Sequence, residues 1–164
     1  MICMTPPLDE AETARWVAWK RANDAVNAAV ATAIGDASGL SVADFSVLSR
    51  VVEHGGGRMA QQELGDMLGW QRARLSRHLG RMAERGLVDR DTDADRRRRV
   101  VVTESGLRSL RAARPAHADA VRRVLLAPTS SPRGDEFWAT LVRLADREDP
   151  RGGGAERGDG DRGP

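Results

Sequence analysis

Residues 59–86 read MAQQELGDMLGWQRARLSRHLGRMAERG. Leu64, Met67 and Leu68 recur at helical spacing and stop at Gly69, where a helix end calls for a left-handed residue, so a short inward-facing helix is expected over 59–68. A tight turn and a second helix over 70–85, closed by Gly86, follow. Advancing about 100° per residue from Arg74 places Gln71, Arg77, His78, Arg81 and Arg85 within about 60° of it, and Leu75, Leu79 and Met82 about 80–140° away. One face is arginine and the other is core. Glu84 is the only acid between Trp70 and Arg85, whereas solvated helices usually mix signs to form i,i+4 pairs. A stripe of one sign asks for an anionic partner.

Downstream, Leu87-Val88 starts an extended stretch, Asp89 to Asp95 is polar and turn-like, and Val100 to Val102 read as a strand returning antiparallel. Helix, glycine turn, helix, hairpin is the order of a winged helix-turn-helix, whose second helix lies in the major groove of DNA while the first braces it on the backbone. Arg96, Arg97, Arg98 and Arg99 stand on the rim of the hairpin beside Asp91, Asp93 and Asp95. Such a wing can lay arginine along phosphates or into a narrow minor groove. Asp93 or Asp95 either pairs with a neighbouring arginine to fix its direction or neutralises an exposed loop. No aromatic platform accompanies the charge, which sets aside sequence-specific RNA modules.

Upstream, 9–34 is Ala-rich without Pro or Gly, and Trp16, Trp19, Val26 and Val30 recur on one helical stripe. Two tryptophans on a stripe read as core or interface anchors. Gly35 to Gly39 is expected to break that helix, and Ser41 to cap another over 42–53 with Phe45, Leu48, Val51 and Val52 inward, ended by Gly55 to Gly57. Beyond the hairpin, Thr103 with Ser105 and Gly106 opens a long helix from Glu104 to about Leu126, with a kink or break expected at Pro115. A last helix over 134–147 carries Phe137, Trp138, Leu141, Val142 and Leu144, and the Gly, Arg, Asp and Pro of 149–164 read as disordered.

The 164 residues, 40% hydrophobic, suit one domain of ordinary size. Charge is unevenly spread: residues 1–69 hold 5 basic and 9 acidic side chains, 70–125 hold 15 and 7, and 126–164 hold 6 and 8. The middle third is the basic element. The single Cys3 excludes an internal disulfide or a cysteine-cluster zinc site, and no apolar run approaches a membrane span. Without a secretory signal the expected compartment is the cytoplasm, away from membranes. The chain has no P-loop, no Gly-x-Ser-x-Gly elbow and no His-Glu-x-x-His, its carboxylates are scattered, and His54, His78 and His117 lack metal-ligand spacing. Neither catalytic residues, a metal nor a cofactor are therefore expected.

Gln62-Glu63-Leu64-Gly65 through Leu68-Gly69, Arg74-Leu75-Ser76-Arg77, Gly86-Leu87-Val88, Asp95-Arg96-Arg97 and Thr103-Glu104-Ser105-Gly106 resemble, in order, the core of the MarR family of transcriptional regulators. The resemblance implies a mainly α fold with a small β-hairpin wing, flanked by dimerisation helices. It divides the chain into a leader (1–8), an N-terminal dimerisation helix and linker (9–40), a winged helix-turn-helix (41–102), C-terminal dimerisation helices (103–148) and a tail (149–164). It also implies a homodimer on a palindromic operator, with Trp16, Trp19, Phe137, Trp138 and Leu141 at the interface. Gln71 to Arg77 would then read bases or phosphates, with Arg74, Ser76 and Arg77 in the groove, Arg72 and Arg81 on phosphate, and His78 beside them. A wing arginine, most nearly Arg97, would reach the minor groove, and a small aromatic or phenolic effector would release the DNA.

Two departures stand out: Trp70-Gln71 occupies the place where the family usually has a serine N-cap, and the wing is about one residue short. Two rival roles are a redox sensor acting through Cys3 and an adaptor that kept the fold without operator specificity. Cys3, between Ile2 and Met4, has no neighbouring cation or helix N-terminus to lower its pKa, which ranks the first behind operator binding.

Overall fold

The computed structural model describes residues 6–92 and 98–147. The chain is mostly helical with one small sheet: α1 (Glu10–Ser38), α2 (Val42–Gly55), β1 (Arg58–Ala60), α3 (Gln61–Leu68), α4 (Arg72–Glu84), β2 (Val88–Thr92), β3 (Arg98–Val102), α5 (Glu104–Val121), a π-helical turn (Arg122–Leu126) and α6 (Pro132–Arg147). It divides after Leu125 into two units. No single helix among the described residues is long and apolar enough to cross a membrane.

In the first unit, α1 begins with a capping box in which Asp9 Oδ1 accepts from the Glu12 N–H and the Asp9 N–H donates to Glu12 Oε2. Gly35 does not break the helix. An isolated glycine costs only about 1 kcal/mol in a helix interior, and α1 runs on to Ser38 before ending at Gly39. Ser41 caps α2 as expected, and Leu48 and Val51 are fully buried while Phe45 and Val52 pack on the core from its edge. Val47, also fully buried, extends that face.

The segment expected as one helix from Met59 begins instead as a strand. Arg58, Met59 and Ala60 pair with Val101, Val100 and Arg99, making a three-stranded antiparallel sheet in the order β1-β3-β2. Met59 and Val100 are buried against the helices. The helix that follows starts only at Gln61 and buries Leu64, while Met67, expected inward, is 38% exposed. Gly69 ends it at φ +62°, a conformation that costs a side-chain-bearing residue, and the Trp70 N–H reaches back to the Gly65 carbonyl. On α4, Leu75, Leu79 and Met82 are all buried as their spacing requires.

The break expected at Pro115 is absent: α5 continues to Val121, and the change of helix type comes later, at the π-helical turn. A proline forfeits one helical hydrogen bond. Here Leu110, Ala113 and Ala120 bury the face of α5 on both sides of the exposed ring, and α5 packs along α1. The second unit contains α6, in which Phe137 and Trp138 meet edge to face and the Trp138 Nε1–H donates to Thr129 Oγ1.

Candidate nucleic-acid interface

The outer face of α4 carries Arg74, Arg77 and Arg81, all exposed, with Gln71 at the N-cap position and the exposed Arg72 as the first residue of the helix. Ser76, half-buried, accepts from Arg90 Nη2 at 3.3 Å, which ties the helix to β2. Arg74 stacks on Trp70, its guanidinium carbon 4.3 Å from the ring centroid. Sequence reasoning missed Arg90. Its alternation with the buried Val88 along β2 is the signal that could have found it.

Two residues counted on the arginine stripe are drawn to Asp44. His78 is 9% exposed. Arg81 Nη2 lies 3.2 Å from its Nδ1, its Nε2 lies 3.1 Å from Asp44 Oδ1, and Trp70 packs edge-on against the ring at 5.4 Å. His78 is thus placed behind the arginine face and not on it. Arg85 bonds Asp44 Oδ2 at 2.7 Å and the Gly39 carbonyl at 2.9 Å. Asp44, 2% exposed, also closes the α2 capping box by accepting the Ser41 N–H. One carboxylate therefore fixes the inner face of α4 to the start of α2.

Burial alone would raise the Asp44 pKa, but the Ser41 N–H, the Ser41 hydroxyl and the Arg85 guanidinium more than offset it and hold the carboxyl below its ordinary range. For His78, burial lowers the pKa; Arg81 and Arg74 add to that and Asp44 opposes it, leaving the ring neutral in the fold at neutral pH. The unfolded chain takes up a proton at the ordinary histidine pKa and the folded one only below it. This contribution to stability is therefore complete above that pKa and shrinks as the pH falls toward the lowered folded value. Thermal unfolding of the wild type should consequently lose more between about pH 7 and about pH 5 than that of His78→Gln. Parallel curves for the two would contradict it.

The wing differs from the expected rim. Arg98 and Arg99 belong to β3, opposite Thr92 and Asp91, and Arg99 also lies opposite Ala60. Asp91, in β2, pairs with Arg58 at 2.7 Å. Asp93, Asp95, Arg96 and Arg97 lie outside the described residues, as do Cys3 and the segment 148–164. A depression of about 990 Å³, lined among others by Met67, Trp70, Arg72 and Arg98, adjoins the arginine face.

A second cleft, of about 580 Å³, opens between α1, α2 and α5. Val30, Ile34, Val42 and Phe45 supply apolar walls, and Ser49, Arg50, Arg114 and His117 supply polar groups. His117 stacks on Phe45 at 4.8 Å between centroids, and Arg114 bonds Glu53 at 2.9 Å. The buried Ser49 hydroxyl has no hydrogen-bond partner among the described residues. Of the residues expected at a dimer interface, Trp16 is 51% exposed, Trp19 44% and Phe137 37%, while Trp138 and Leu141 are half-buried.

Residues 38–98 match the sequence model of the MarR family. No curated protein sequence matches the chain. Among solved structures it is similar to AbsC, a MarR family transcriptional regulator from Streptomyces coelicolor, at 27% identity and a TM-score of 0.77, over 87% of this chain and 97% of that one. Sco3205, a MarR family regulator from the same organism solved in complex with DNA, gives 21% and 0.77 over 88% and 91%. The organohalide-sensing regulator RdhR-CbdbA1625 in its 2,4-dichlorophenol-bound form gives 18% and 0.72 over 90% and 89%. The last two, below a quarter identical, share the fold.

Proposed function

For a chain that carries the MarR-family domain in residues 38–98 and the fold of MarR-family transcriptional regulators, we propose a homodimeric repressor that binds a palindromic operator and is released by a small aromatic effector. The observation that carries the proposal is the outer face of α4. Arg74, Arg77 and Arg81 stand exposed on it, with the exposed Arg72 at the start of the helix, while the inner face is fixed by Leu75, Leu79 and the Asp44 contacts. Guanidinium forks match both phosphate oxygens and the O6/N7 edge of guanine. Arg74, Ser76 and Arg77 are assigned to the groove and Arg72 and Arg81 to phosphates, with the wing arginines Arg96 to Arg99 alongside. The DNA complex of the similar Sco3205 supports the partner.

Dimerisation is supported by large apolar groups left in water. Trp16 and Trp19 on α1 and Phe137, Val142 and Leu144 on α6 are all more than a third exposed, and covering such surface is the main driving force for association. The effector belongs in the cleft beside α1. Its apolar walls, the His117–Phe45 stack, the free Ser49 hydroxyl and Arg114 suit a flat ring bearing a hydroxyl or acid, in keeping with the dichlorophenol bound by RdhR-CbdbA1625. Occupancy shifts the spacing of the two α4 helices only insofar as the effector binds one arrangement better than the other.

Arg77→Ala is expected to cost about 1–3 kcal/mol of operator binding and to flatten preference at one base pair per half-site. Titration against the operator and its single base-pair variants measures this. A uniform loss across all sequences would make Arg77 a phosphate contact, and no loss at all would remove α4 from the interface.

A further inference from the structure

The residue at the turn into α4 is a tryptophan, and its placement has little to do with capping. Gln71, at the N-cap, makes no side-chain cap bond, and Trp70 itself lies one residue outside the helix, half-buried at the edge of the core. Three contacts define its position. Its N–H bonds the Gly65 carbonyl at 2.9 Å, its ring meets His78 edge-on at 5.4 Å between centroids, and the Arg74 guanidinium lies over it at 4.3 Å. His78 is in turn held by Asp44 at 3.1 Å and Arg81 at 3.2 Å. A continuous set of contacts thus runs from the anchored inner face of α4 to the exposed guanidinium of Arg74.

We infer that Trp70 is a positioning residue for operator reading: its ring holds the Arg74 guanidinium ready to reach a base edge. The inference rests on α4 being the operator-reading helix. An arginine free in solvent samples many rotamers and loses that freedom on binding, whereas one stacked on an indole face has lost much of it beforehand. Tryptophan offers the strongest ring face for a cation, and a guanidinium stacked on it keeps its N–H edge free for hydrogen bonds. The gain belongs to specificity, since an unstacked Arg74 could still meet a phosphate but would be less able to choose a base.

The test uses the full-length chain on an operator selected from a random duplex pool, together with that operator's single base-pair variants. Arg74→Ala is expected to flatten preference at one base pair per half-site. Trp70→Leu should flatten preference at that same base pair by about two- to fivefold, leave other positions unchanged, and add nothing in the Arg74→Ala background. Uniform weakening on every duplex, or an effect that adds in full to Arg74→Ala, overturns the inference.

Leucine also removes ring packing against His78, so chain containing fluorinated tryptophan, which weakens the negative ring face and keeps its shape, is measured beside it. The same selective flattening, abolished by Arg74→Ala, is expected. Unchanged preference in that protein overturns the inference even if Trp70→Leu does not fold. Wild-type preference that Arg74→Ala leaves intact overturns the inference alone. A wild type that binds every duplex alike removes the operator-reading helix and the inference with it.

Discussion

Gly106→Ala is expected to destabilise the chain by about 3 kcal/mol or more, at the upper end of what overpacking costs. A methyl group at this position would stand 2.1 Å from the backbone carbonyl oxygen of Leu87 and 3.0 Å from a Val102 methyl. The carbonyl has no easy retreat, because it accepts the Thr103 N–H while the Thr103 hydroxyl donates to the Gly86 carbonyl and accepts the Gly106 N–H. The start of α5 is thereby clamped onto the turn that leads from α4 into β2. In a helix interior the same substitution ordinarily stabilises by about 1 kcal/mol, so the sign itself is diagnostic. Gly80→Ala in α4, where an added methyl meets nothing within 4 Å, is the matched control and should raise the melting temperature. Equal behaviour of the two variants in thermal unfolding would refute the clamp.

Asp44→Ala should cost about 2–4 kcal/mol, the sum of a lost helix cap and lost hydrogen bonds to a charged group. The figure sits below that for a fully buried ion pair because Arg85, left behind, is about half exposed and can turn to water. Arg85→Ala leaves the carboxylate buried with only Ser41 and His78, and should cost at least as much. With its folded pKa depressed, Asp44 contributes in full above the ordinary carboxylate pKa, and the contribution disappears as the pH falls through the lowered folded value. Denaturant unfolding of wild type and variant should therefore converge in acid. A constant gap would mean that Asp44 acts through packing alone.

Local signals in the sequence carried much of this architecture, and distant partners accounted for what they missed. The spacing of Leu75, Leu79 and Met82, the left-handed stop at Gly69 and the Ser41 cap each depend on residues within a few positions, and each is found in the structure. Strand β1 is three residues long and exists because β3, some forty positions later, supplies its hydrogen bonds. His78 lies on the arginine side of a helical wheel, yet it is buried because Asp44 from α2 gives it a polar partner inside. Asp44 in turn reads as an ordinary acid in a first helical turn until Arg85 and His78 arrive from α4.

The arginine face shows the same division. Arg74, Arg77 and Arg81 were legible from sign and period alone, whereas the diversion of Arg85 to Asp44 and the approach of Arg90 to Ser76 need three-dimensional neighbours. The cleft between α1, α2 and α5 draws its lining from helices far apart in the sequence. Val30, Ile34, Arg114 and His117 line it together. Its polar groups could not be chosen in advance, since Ser49 and Arg50 sit on a helix whose period marks only its core face.

In the proposed mechanism, two copies of the α4 arginine face read a symmetric operator. Selection of bound duplexes from a random pool at moderate salt, followed by sequencing, tests it most directly. A two-fold symmetric site with half-sites about one helical turn apart is expected. Recovery of duplexes without any sequence preference would contradict it.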